Sequence, residues 1–375
     1  MKSVLVLCYC DPSGNPRPNR LIQCLKGTYK IRVGGTATAG GNMIDFAVPE
    51  FGAKTLPGKI SHAIFFLIGY YKPMIWTAAF RKFRQILIAE RFDLVIVHDL
   101  MLLPLALSVS KKARILFDAR EYYPSQAEDQ VKWRVFFRNF NKHLCEKYLN
   151  RCDKIITVSE GIAREYKTQH AITSEVLVSL PYYCDVQPAS VKPDKIMMMH
   201  HGSAGSSRKI ELMIEMMDYT DKRFELDLML VPDNESYFNK LSNMVKGREN
   251  VRIIPPVRYE EIIPFINRYD IGLFLVPHST LNLRYVLPNK LFEFIQARLA
   301  VAIGPSIEMK KIVEKYDCGI VAKDFNPKSL AEKLNSLNAE EIMRFKKQSG
   351  LAARELNAEA NCERLKCIVH DLIGE

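Results

Sequence analysis

The sequence lacks the short motifs that identify many nucleotide-binding and metal-binding proteins. It has no Gly-x-Gly-x-x-Gly segment, so the usual dinucleotide fingerprint is absent. Its nine cysteines form no Cys-x-x-Cys pair and no Cys/His spacing typical of zinc, and their number is odd. We therefore predict reduced thiols that mostly serve packing, as in a cytosolic protein.

Long apolar runs are also missing. The runs at 64–70 and 100–107 are the longest beyond the N-terminus, and both are far shorter than the roughly 20 residues that cross a bilayer. The apolar run at the N-terminus is too short for a signal peptide and has no small-residue cleavage site. We expect neither a transmembrane helix nor a leader, and a cytoplasmic location.

Basic residues are in excess. The formal net charge is +11, which favours phosphates, nucleic acid or an acidic membrane surface as partners. The sequence holds no nucleic-acid recognition motif, so we do not expect a nucleic-acid partner. A chain of 375 residues is too long for one ordinary core, which predicts two domains.

Apolar strands alternate with helices in both halves, which predicts an α/β fold with two parallel sheets. The predicted strands are 4–7, 92–97, 114–117 and 154–158, then 196–199, 226–231, 251–254, 271–276 and 300–303. A proline-containing linker at 179–195 separates the halves. We place the domains at 1–185 and 186–354, with a C-terminal helix at 355–375 packing back on the first. The final helix, from about 338 to 372, is expected to break near Gly350.

Polar residues follow three strands of the first half, the pattern of a cleft lined by strand ends. The strand ends carry His98 with Asp99, then the loop of Asp118, Arg120 and Glu121, then Ser159 with Glu160. The first strand opens into the loop 11–18 around Gly14, which is either a plain turn or part of such a cleft.

The segment 287–293 predicts a helix entered through a proline. Pro288 fits the first helical position, and the N–H groups after it would be free to hold an anion. Lys290 adds a positive charge, while Asn289 and Glu293 share one face. The helix mouth could therefore hold the phosphates and ribose hydroxyls of a nucleotide. The alternative is that Lys290 and Glu293 are ordinary surface charges.

A Gly/Ser loop at 202–209, ending in Arg208 and Lys209, is a second candidate phosphate cradle before a helix. The adjacent His200 and His201 suggest a metal, but no third ligand has suitable spacing, so structural histidines are favoured.

The segment 60–92 is helical in composition, with a break near Lys72 and Pro73. Its second half, 76–84, mixes aromatic and basic residues at helical spacing. Packing of the apolar face is the default interpretation. The alternative is a basic amphipathic surface that touches anionic lipid headgroups.

These segments together resemble retaining glycosyltransferase family 4, which has the GT-B fold of two Rossmann-like domains. The segments that carry the resemblance are 201–208, 255–261, 269–273, 287–293, 308–314, 318–320 and 326–327, and more loosely 93–99 and 156–162. The resemblance implies transfer of a sugar from a nucleotide-sugar with retention, and no metal or other cofactor.

The resemblance also assigns residues. Glu293 matches the second glutamate of the family's Glu-x7-Glu motif, which binds ribose hydroxyls, while Arg208 and Lys290 match basic positions near the diphosphate. In a metal-free mechanism such preorganised cations must stabilise the departing diphosphate. The other residues expected on the donor side are Gly202, Tyr285, Pro288, Asn289 and Gly14.

Two positions depart from the family pattern. Tyr285 stands where the first glutamate of the motif would lie, and Arg120 stands where many relatives have a histidine. With no obvious general base left, Asp118 or Glu121 could polarise the acceptor hydroxyl, or Asp118 could simply cap a helix or loop. The other residues expected in the acceptor-side cleft are His98, Asp99 and Arg120.

No motif in the sequence identifies the acceptor. The basic stretch 76–84 and the net charge favour a sugar or lipid-linked sugar at the inner membrane face, and a role in cell-surface polysaccharide or glycolipid synthesis. Two alternatives stay open: a GT-B sugar-nucleotide epimerase, and a degenerate protein that binds nucleotide without turnover.

Overall fold

The computed structural model describes residues 1–36, 43–52, 55–110 and 112–374. Two compact units are present: Met1–Val178 with Asn361–Glu375, and Ser179–Ala360. The first boundary therefore lies at 178 rather than 185, and the last at 360 rather than 354. No described helix combines the length and the apolar composition needed to cross a bilayer.

The described strands of the first unit form one parallel sheet in the order β3-β2-β1-β4-β5-β6-β7. These strands are β1 (Ser3–Leu7), β2 (Lys30–Gly35), β3 (Phe46–Ala47), β4 (Leu94–Val97), β5 (Arg114–Ala119), β6 (Lys154–Thr157) and β7 (Glu175–Val176). The helices between them are α1 (Pro16–Leu25), α2 (Leu56–Leu67), α3 (Lys72–Ile75), α4 (Ala78–Ile88), α5 (Leu103–Val109), α6 (Val131–Phe136), α7 (Arg138–Tyr148) and α8 (Glu160–His170). The order reverses between β1 and β4, and ligands of open α/β sheets bind at the carboxyl ends beside such a reversal.

The predicted helical segment 60–92 consists of three helices, α2, α3 and α4. Thr55 and Thr77 cap α2 and α4, since their hydroxyls accept hydrogen bonds from the N–H groups of Gly58 and Phe80. Phe80 and Phe83 of α4 are buried, as the packing interpretation of the stretch 76–84 expected.

The described strands of the second unit repeat this arrangement in the order β10-β9-β8-β11-β12-β13. These strands are β8 (Ile196–Ala204), β9 (Phe224–Pro232), β10 (Val251–Ile254), β11 (Ile271–Phe274), β12 (Ala300–Ile303) and β13 (Gly319–Val321). The helices are α9 (Glu211–Met216), α10 (Glu235–Val245), α11 (Ile262–Ile266), α12 (Leu281–Arg284), α13 (Asn289–Gln296), α14 (Ile307–Tyr316), α15 (Pro327–Asn335) and α16 (Ala339–Glu355). The predicted fold class, two parallel-sheet α/β domains, is confirmed.

Strand β8 is longer than the sequence predicted. It was expected to end at Met199, but its parallel pairing with β9 continues from Ile196 opposite Phe224 to Ala204 opposite Pro232. The polar segment 200–203 is therefore part of the strand. Backbone hydrogen bonds to β9 hold it there, and the side-chain pattern does not predict this pairing. Only the part from Gly205 onward leaves the sheet.

The final helix breaks at a different place from the one predicted. Gly350 lies inside α16, and the break comes at Leu356 and Asn357, before α17 (Ala358–Ile373). The Asn357 side chain accepts a hydrogen bond from the Ala360 N–H at 2.9 Å, which starts the new helix. A Cβ at Gly350 would lie 3.4 Å from Cδ of Arg298, which is an ordinary van der Waals contact.

Most of α17 packs in the first unit. Leu365, Ile368 and Val369 share a core cluster with Leu21 and Leu25 of α1. A disulfide bond also joins Cys24 of α1 to Cys362 of α17. The prediction that all cysteines are reduced thiols is therefore wrong for this pair, and the other seven are free. The partners are 338 residues apart, so no local spacing could reveal the bond.

Candidate functional site

Helix α13 begins one residue later than predicted. Pro288 is its N-cap, with an extended backbone (φ −77°, ψ 150°), and the first helical residue is Asn289. The N–H of Leu291 donates to the Pro288 carbonyl at 3.1 Å. The first-turn N–H groups are therefore not all directed out of the helix, and an anion at this end would depend more on side-chain cations.

Lys290 of α13 is a buried lysine. Its side chain is nearly inaccessible, at 5% exposure, and Nζ has no hydrogen-bond partner in the described part of the chain. Nζ lies 5.3 Å from the centroid of the Phe274 ring at the end of β11. Burial and the nearby charge of Arg208 hold the pKa of Lys290 well below its usual range, with a partial offset from Glu293. An unpaired buried ammonium is costly, so this position favours an anion from outside.

Gly202 of β8 makes room for this lysine. Its φ is +118°, in the region that favours glycine, and a Cβ there would lie 3.0 Å from Nζ of Lys290. The backbone of β8 therefore approaches the amine closely. Arg208, in the turn after β8, is partly buried, which lowers its pKa, while Asp233 raises it.

Glu293 is buried one turn further along α13, at 3% exposure. Its Oε2 lies 3.4 Å from Nε2 of His201. Burial, and to a smaller extent the nearby charge of Lys290, lowers the pKa of His201 to about 3, so this imidazole is neutral at pH 7. The carboxyl group therefore lies beside a neutral ring. We name the group of His201, Gly202, Arg208, Lys290 and Glu293 the Lys290 cluster.

The two adjacent histidines do not act together. Consecutive strand residues point to opposite faces, and Nδ1 of His200 contacts the Leu273 carbonyl at 2.8 Å. This contact agrees with the structural interpretation of His200. In the described ranges no group of three or more His, Cys, Asp or Glu could hold a metal ion. The metal-free mechanism stays a prediction.

Tyr285 and Gly14 lie in different surroundings. Tyr285 is buried after α12, with the guanidinium carbon of Arg284 5.5 Å from the centroid of its ring. Gly14 belongs to the first unit, in a short turn (Pro12–Gly14), and a Cβ there would meet nothing within 4 Å. The loop around Gly14 is therefore open, and its predicted donor role stays a prediction.

Asp118 lies at the carboxyl end of β5 and is fully buried. Arg17 holds it with two bonds of 2.7 Å, from Nε to Oδ2 and from Nη2 to Oδ1. His98 Nδ1 lies 2.9 Å from the same Oδ2. Burial alone would raise the pKa of Asp118, but Arg17 and His98 together hold it well below its usual range. Both oxygens are occupied inside the protein, so Asp118 neither caps a helix nor presents a free carboxylate.

Asp99 and Arg120 form a second ion pair beside this one. Arg120 Nη2 lies 2.5 Å from Asp99 Oδ1, and Oδ2 accepts from the Tyr9 N–H at 2.6 Å. Arg120 Nε also donates to the carbonyl of His98 at 3.2 Å. Arg120 therefore positions the strand ends of β1, β4 and β5, and takes no part as a base because a guanidinium does not deprotonate.

Glu121 is the least restrained carboxylate of this edge. It is only partly buried, and one oxygen accepts from Gln126 Nε2 at 2.9 Å. Burial raises its pKa to about 7, although Arg120 opposes the shift. A carboxylate that titrates near neutrality is suited to proton transfer.

Sequence reasoning missed two partners. Arg17 lies between two prolines at the start of α1 and was not singled out, although it follows the first strand, whose carboxyl end lies beside the end of β4. The contact of His201 with Glu293 had no spacing signal, because the two are on separate elements.

The first unit matches a known family by sequence. Residues 41–181 match the model of Glycosyltransferase Family 4. No curated protein matches the chain. The family model matches the first half of the chain, whereas the resemblance in the sequence analysis came mainly from the second half. The match confirms the predicted resemblance to glycosyltransferase family 4.

Solved structures of GT-B glycosyltransferases share the fold of the chain. HepE from Anabaena, crystallised with UDP, has a TM-score of 0.72 and 11% identity over 99% of this chain and 100% of that one. Sucrose-phosphate synthase from Thermosynechococcus elongatus has a TM-score of 0.76 and 10% identity over 99% of each chain. A glycosyltransferase from Rickettsia africae has a TM-score of 0.72 and 11% identity over 99% of this chain and 98% of that one. The architecture is therefore the GT-B fold.

Proposed function

We propose that this chain transfers a sugar, with retention at the anomeric carbon, from a uridine diphosphate sugar to an acceptor hydroxyl. The observation that carries the proposal is Lys290, a buried cation with no partner among the described side chains, placed against the glycine of a strand end. A diphosphate would supply the missing counterion. HepE, which shares the fold, has been crystallised with UDP and with UDP-glucose, and this supports uridine as the base.

The chemistry requires charge stabilisation where the sugar leaves. Departure of a nucleoside diphosphate places developing negative charge on its oxygens, and without a metal it is Lys290 and Arg208 that would stabilise it. Glu293 would accept hydrogen bonds from the ribose hydroxyls. The predicted metal-free mechanism, the retention and the role in polysaccharide or glycolipid synthesis all belong to this proposal, as does peripheral contact with an anionic membrane.

A thermal-shift screen against UDP, GDP, ADP, CMP and dTDP tests the donor. We expect UDP to stabilise the protein most, by about 2.7 kcal/mol at a hundred times its Kd. Glu293→Ala should weaken the UDP shift because it removes the ribose acceptor. Glu314→Ala, a substitution of an exposed glutamate on α14, is the matched control. No shift with any nucleotide would contradict the proposal, and an equal shift in Glu293→Ala would remove the ribose assignment.

We propose Glu121 rather than Asp118 as the group that polarises the attacking hydroxyl. With its pKa near 7, Glu121 loses its proton as the pH rises through neutrality. The rate of UDP release from the donor should therefore rise between about pH 6 and 8, and Glu121→Gln should flatten this rise. Glu146→Gln, at an exposed glutamate on α7, is the control. A pH profile unchanged by Glu121→Gln would contradict the assignment.

Retention can be read from the product. A transfer followed by proton NMR of the new anomeric centre gives the same configuration as the donor if the mechanism retains it. An inverted product would contradict this part of the proposal while leaving the donor assignment intact.

A further inference from the structure

Exposed apolar side chains are concentrated on helix α2 and the residue that ends it. The relative exposures are Leu56 71%, Ile60 55%, Ile64 50%, Leu67 65% and Ile68 65%. These residues are spaced by four, four and three along the helix, so those from Leu56 to Leu67 lie on one face. We call this set the α2 stripe. Scattered apolar residues are normal at a protein surface, but a continuous stripe of this kind marks an interaction site.

The helix is anchored by a different face. Phe66 is buried, and its ring centroid lies 4.7 Å from that of Phe137 and 5.6 Å from that of Phe140. The α2 stripe therefore lies on a side of the helix that does not carry this buried ring. It points away from the aromatic cluster that holds the helix in place.

Helix α6 extends the same apolar surface. It packs against α2, with the rings of Phe66 and Phe136 6.2 Å apart. Val131 and Val135, four residues apart, are 65% and 47% exposed. Two neighbouring helices thus present apolar side chains to the outside.

The charge beside this surface is mainly basic, although Glu128 and Asp129 precede α6. Residues 51–89 of the sequence include six Lys or Arg and no Asp or Glu. Residues 130–145 include four Lys or Arg and no Asp or Glu. Lys59 of α2, Lys72 of α3, and Lys132 and Arg134 of α6 are exposed. An apolar stripe with basic residues beside it is the composition of a helix that lies in a membrane interface.

We propose that the α2 stripe and α6 dock this unit on an anionic lipid bilayer. A second copy of the chain is the less suitable occupant, because a symmetric contact would bring the same basic residues together. The 12-residue helix is about 18 Å long, so it would lie in the headgroup region. The inference rests on the peripheral membrane contact proposed above, but not on the nucleotide site. It places the contact on α2 and α6, whereas the sequence had suggested α4.

Vesicle flotation tests the docking surface. The full chain is mixed with phosphatidylcholine vesicles with and without phosphatidylglycerol, at low salt. We expect binding only to the anionic vesicles. Ile60→Asp with Ile64→Asp should lower the affinity roughly tenfold or more, since it puts two charges into the apolar face. Lys59→Gln with Lys132→Gln should lower it about fivefold for each neutralised lysine.

Leu351→Asp is the matched control, because this leucine is 57% exposed on α16 of the second unit. It should leave vesicle binding unchanged. The proposal is overturned if the wild type does not float, if Leu351→Asp loses as much binding as the stripe variant, or if the wild type forms dimers that Ile60→Asp dissolves. UDP thermal shifts of the same variants separate this result from the nucleotide proposal, since they should match the wild type.

Discussion

Replacing Arg17 by methionine is expected to destabilise the first unit by about 3–5 kcal/mol, because it leaves the carboxylate of Asp118 buried without its main partner. Asp118 is inaccessible and Arg17 is only 11% exposed, so solvent has little access to the carboxylate. The loss includes the bond from Arg17 Nη1 to the Leu177 carbonyl at 2.8 Å. Urea unfolding followed by tryptophan fluorescence measures the effect, since Trp76 and Trp133 are the only tryptophans and both lie in this unit.

The pH dependence distinguishes a charge effect from lost packing. In the wild type the pKa of Asp118 lies well below its usual range, so the ion pair contributes its full stability above about pH 4 and loses it as the pH falls further. In Arg17→Met, burial should raise the pKa of Asp118 above its usual value. The variant then gains stability as the pH falls from 7 to 5, and its deficit relative to the wild type shrinks.

Arg114→Met is the control for the same substitution at an exposed ion pair. Arg114 is 58% exposed and its Nη1 lies 2.6 Å from Asp153 Oδ1, so the loss should stay within about 1 kcal/mol. An Arg17→Met deficit no larger than that of Arg114→Met would contradict the buried-pair argument. Adding Asp118→Asn to Arg17→Met should restore part of the loss, because the uncompensated charge is then gone.

The fold was predictable because its strands are short buried runs at regular intervals. In a parallel sheet covered by helices on both faces, strand residues must be apolar throughout, and the core of β4, Leu94–Val97, satisfies this rule. Strand β8 does not, since its last residues include His200, His201 and Ser203. Their place in the sheet is set by backbone pairing with β9, and side-chain patterns carry little information about it.

The break in the C-terminal helices shows a different limit. Glycine disfavours a helix interior, so Gly350 was the natural place for a break. Gly350 nevertheless lies inside α16, and a local cap at Asn357 sets the position of the break. The Cys24–Cys362 disulfide is likewise a property of how α1 and α17 pack.

In the candidate site, the sequence pattern points to the residues of one local motif and not to their remote partners. Lys290 and Glu293 lie within one turn of α13, and their spacing is visible in the sequence. Arg17 meets Asp118 across 101 residues, and only the sheet order brings them together. The burial of Lys290 was not predictable either, because its charge suggested a solvent-exposed position.

Replacing Lys290 by methionine is expected to have opposite effects on UDP affinity and on stability. The affinity should fall about 10- to 100-fold, the value of a charge-assisted contact with phosphate. The second unit without ligand should become more stable by about 1 kcal/mol or more. The reason is that an apolar chain of similar length replaces a buried amine that has no hydrogen-bond partner among the described residues. Isothermal titration calorimetry and thermal unfolding followed by circular dichroism measure the two effects.

Because the pKa of Lys290 is depressed, the stability change caused by Lys290→Met should depend on pH. A lysine whose pKa is lower in the folded than in the unfolded state weakens the fold at neutral pH, and this penalty disappears as the pH rises towards about 10. The stability gained by Lys290→Met should therefore shrink at alkaline pH. A bound diphosphate should raise the pKa of Lys290 again, so UDP binding by the wild type should take up protons above the folded-state pKa. Calorimetry in buffers of different ionisation enthalpy detects that uptake, and Lys290→Met should reduce it.

Lys346 provides the matched control, because it is a second buried lysine of the same unit with partners of its own. Its Nζ donates to the Tyr269 carbonyl at 2.7 Å and lies 3.3 Å from Asp270 Oδ1. Lys346→Met should therefore lose about 3–5 kcal/mol of stability, since it leaves Asp270 without its cation, while the folded fraction should bind UDP as the wild type does. If both variants lost stability, Lys290 would have a partner inside the protein. If neither changed UDP affinity, the diphosphate would lie elsewhere, and the charge of Lys290 would need another anion to balance it.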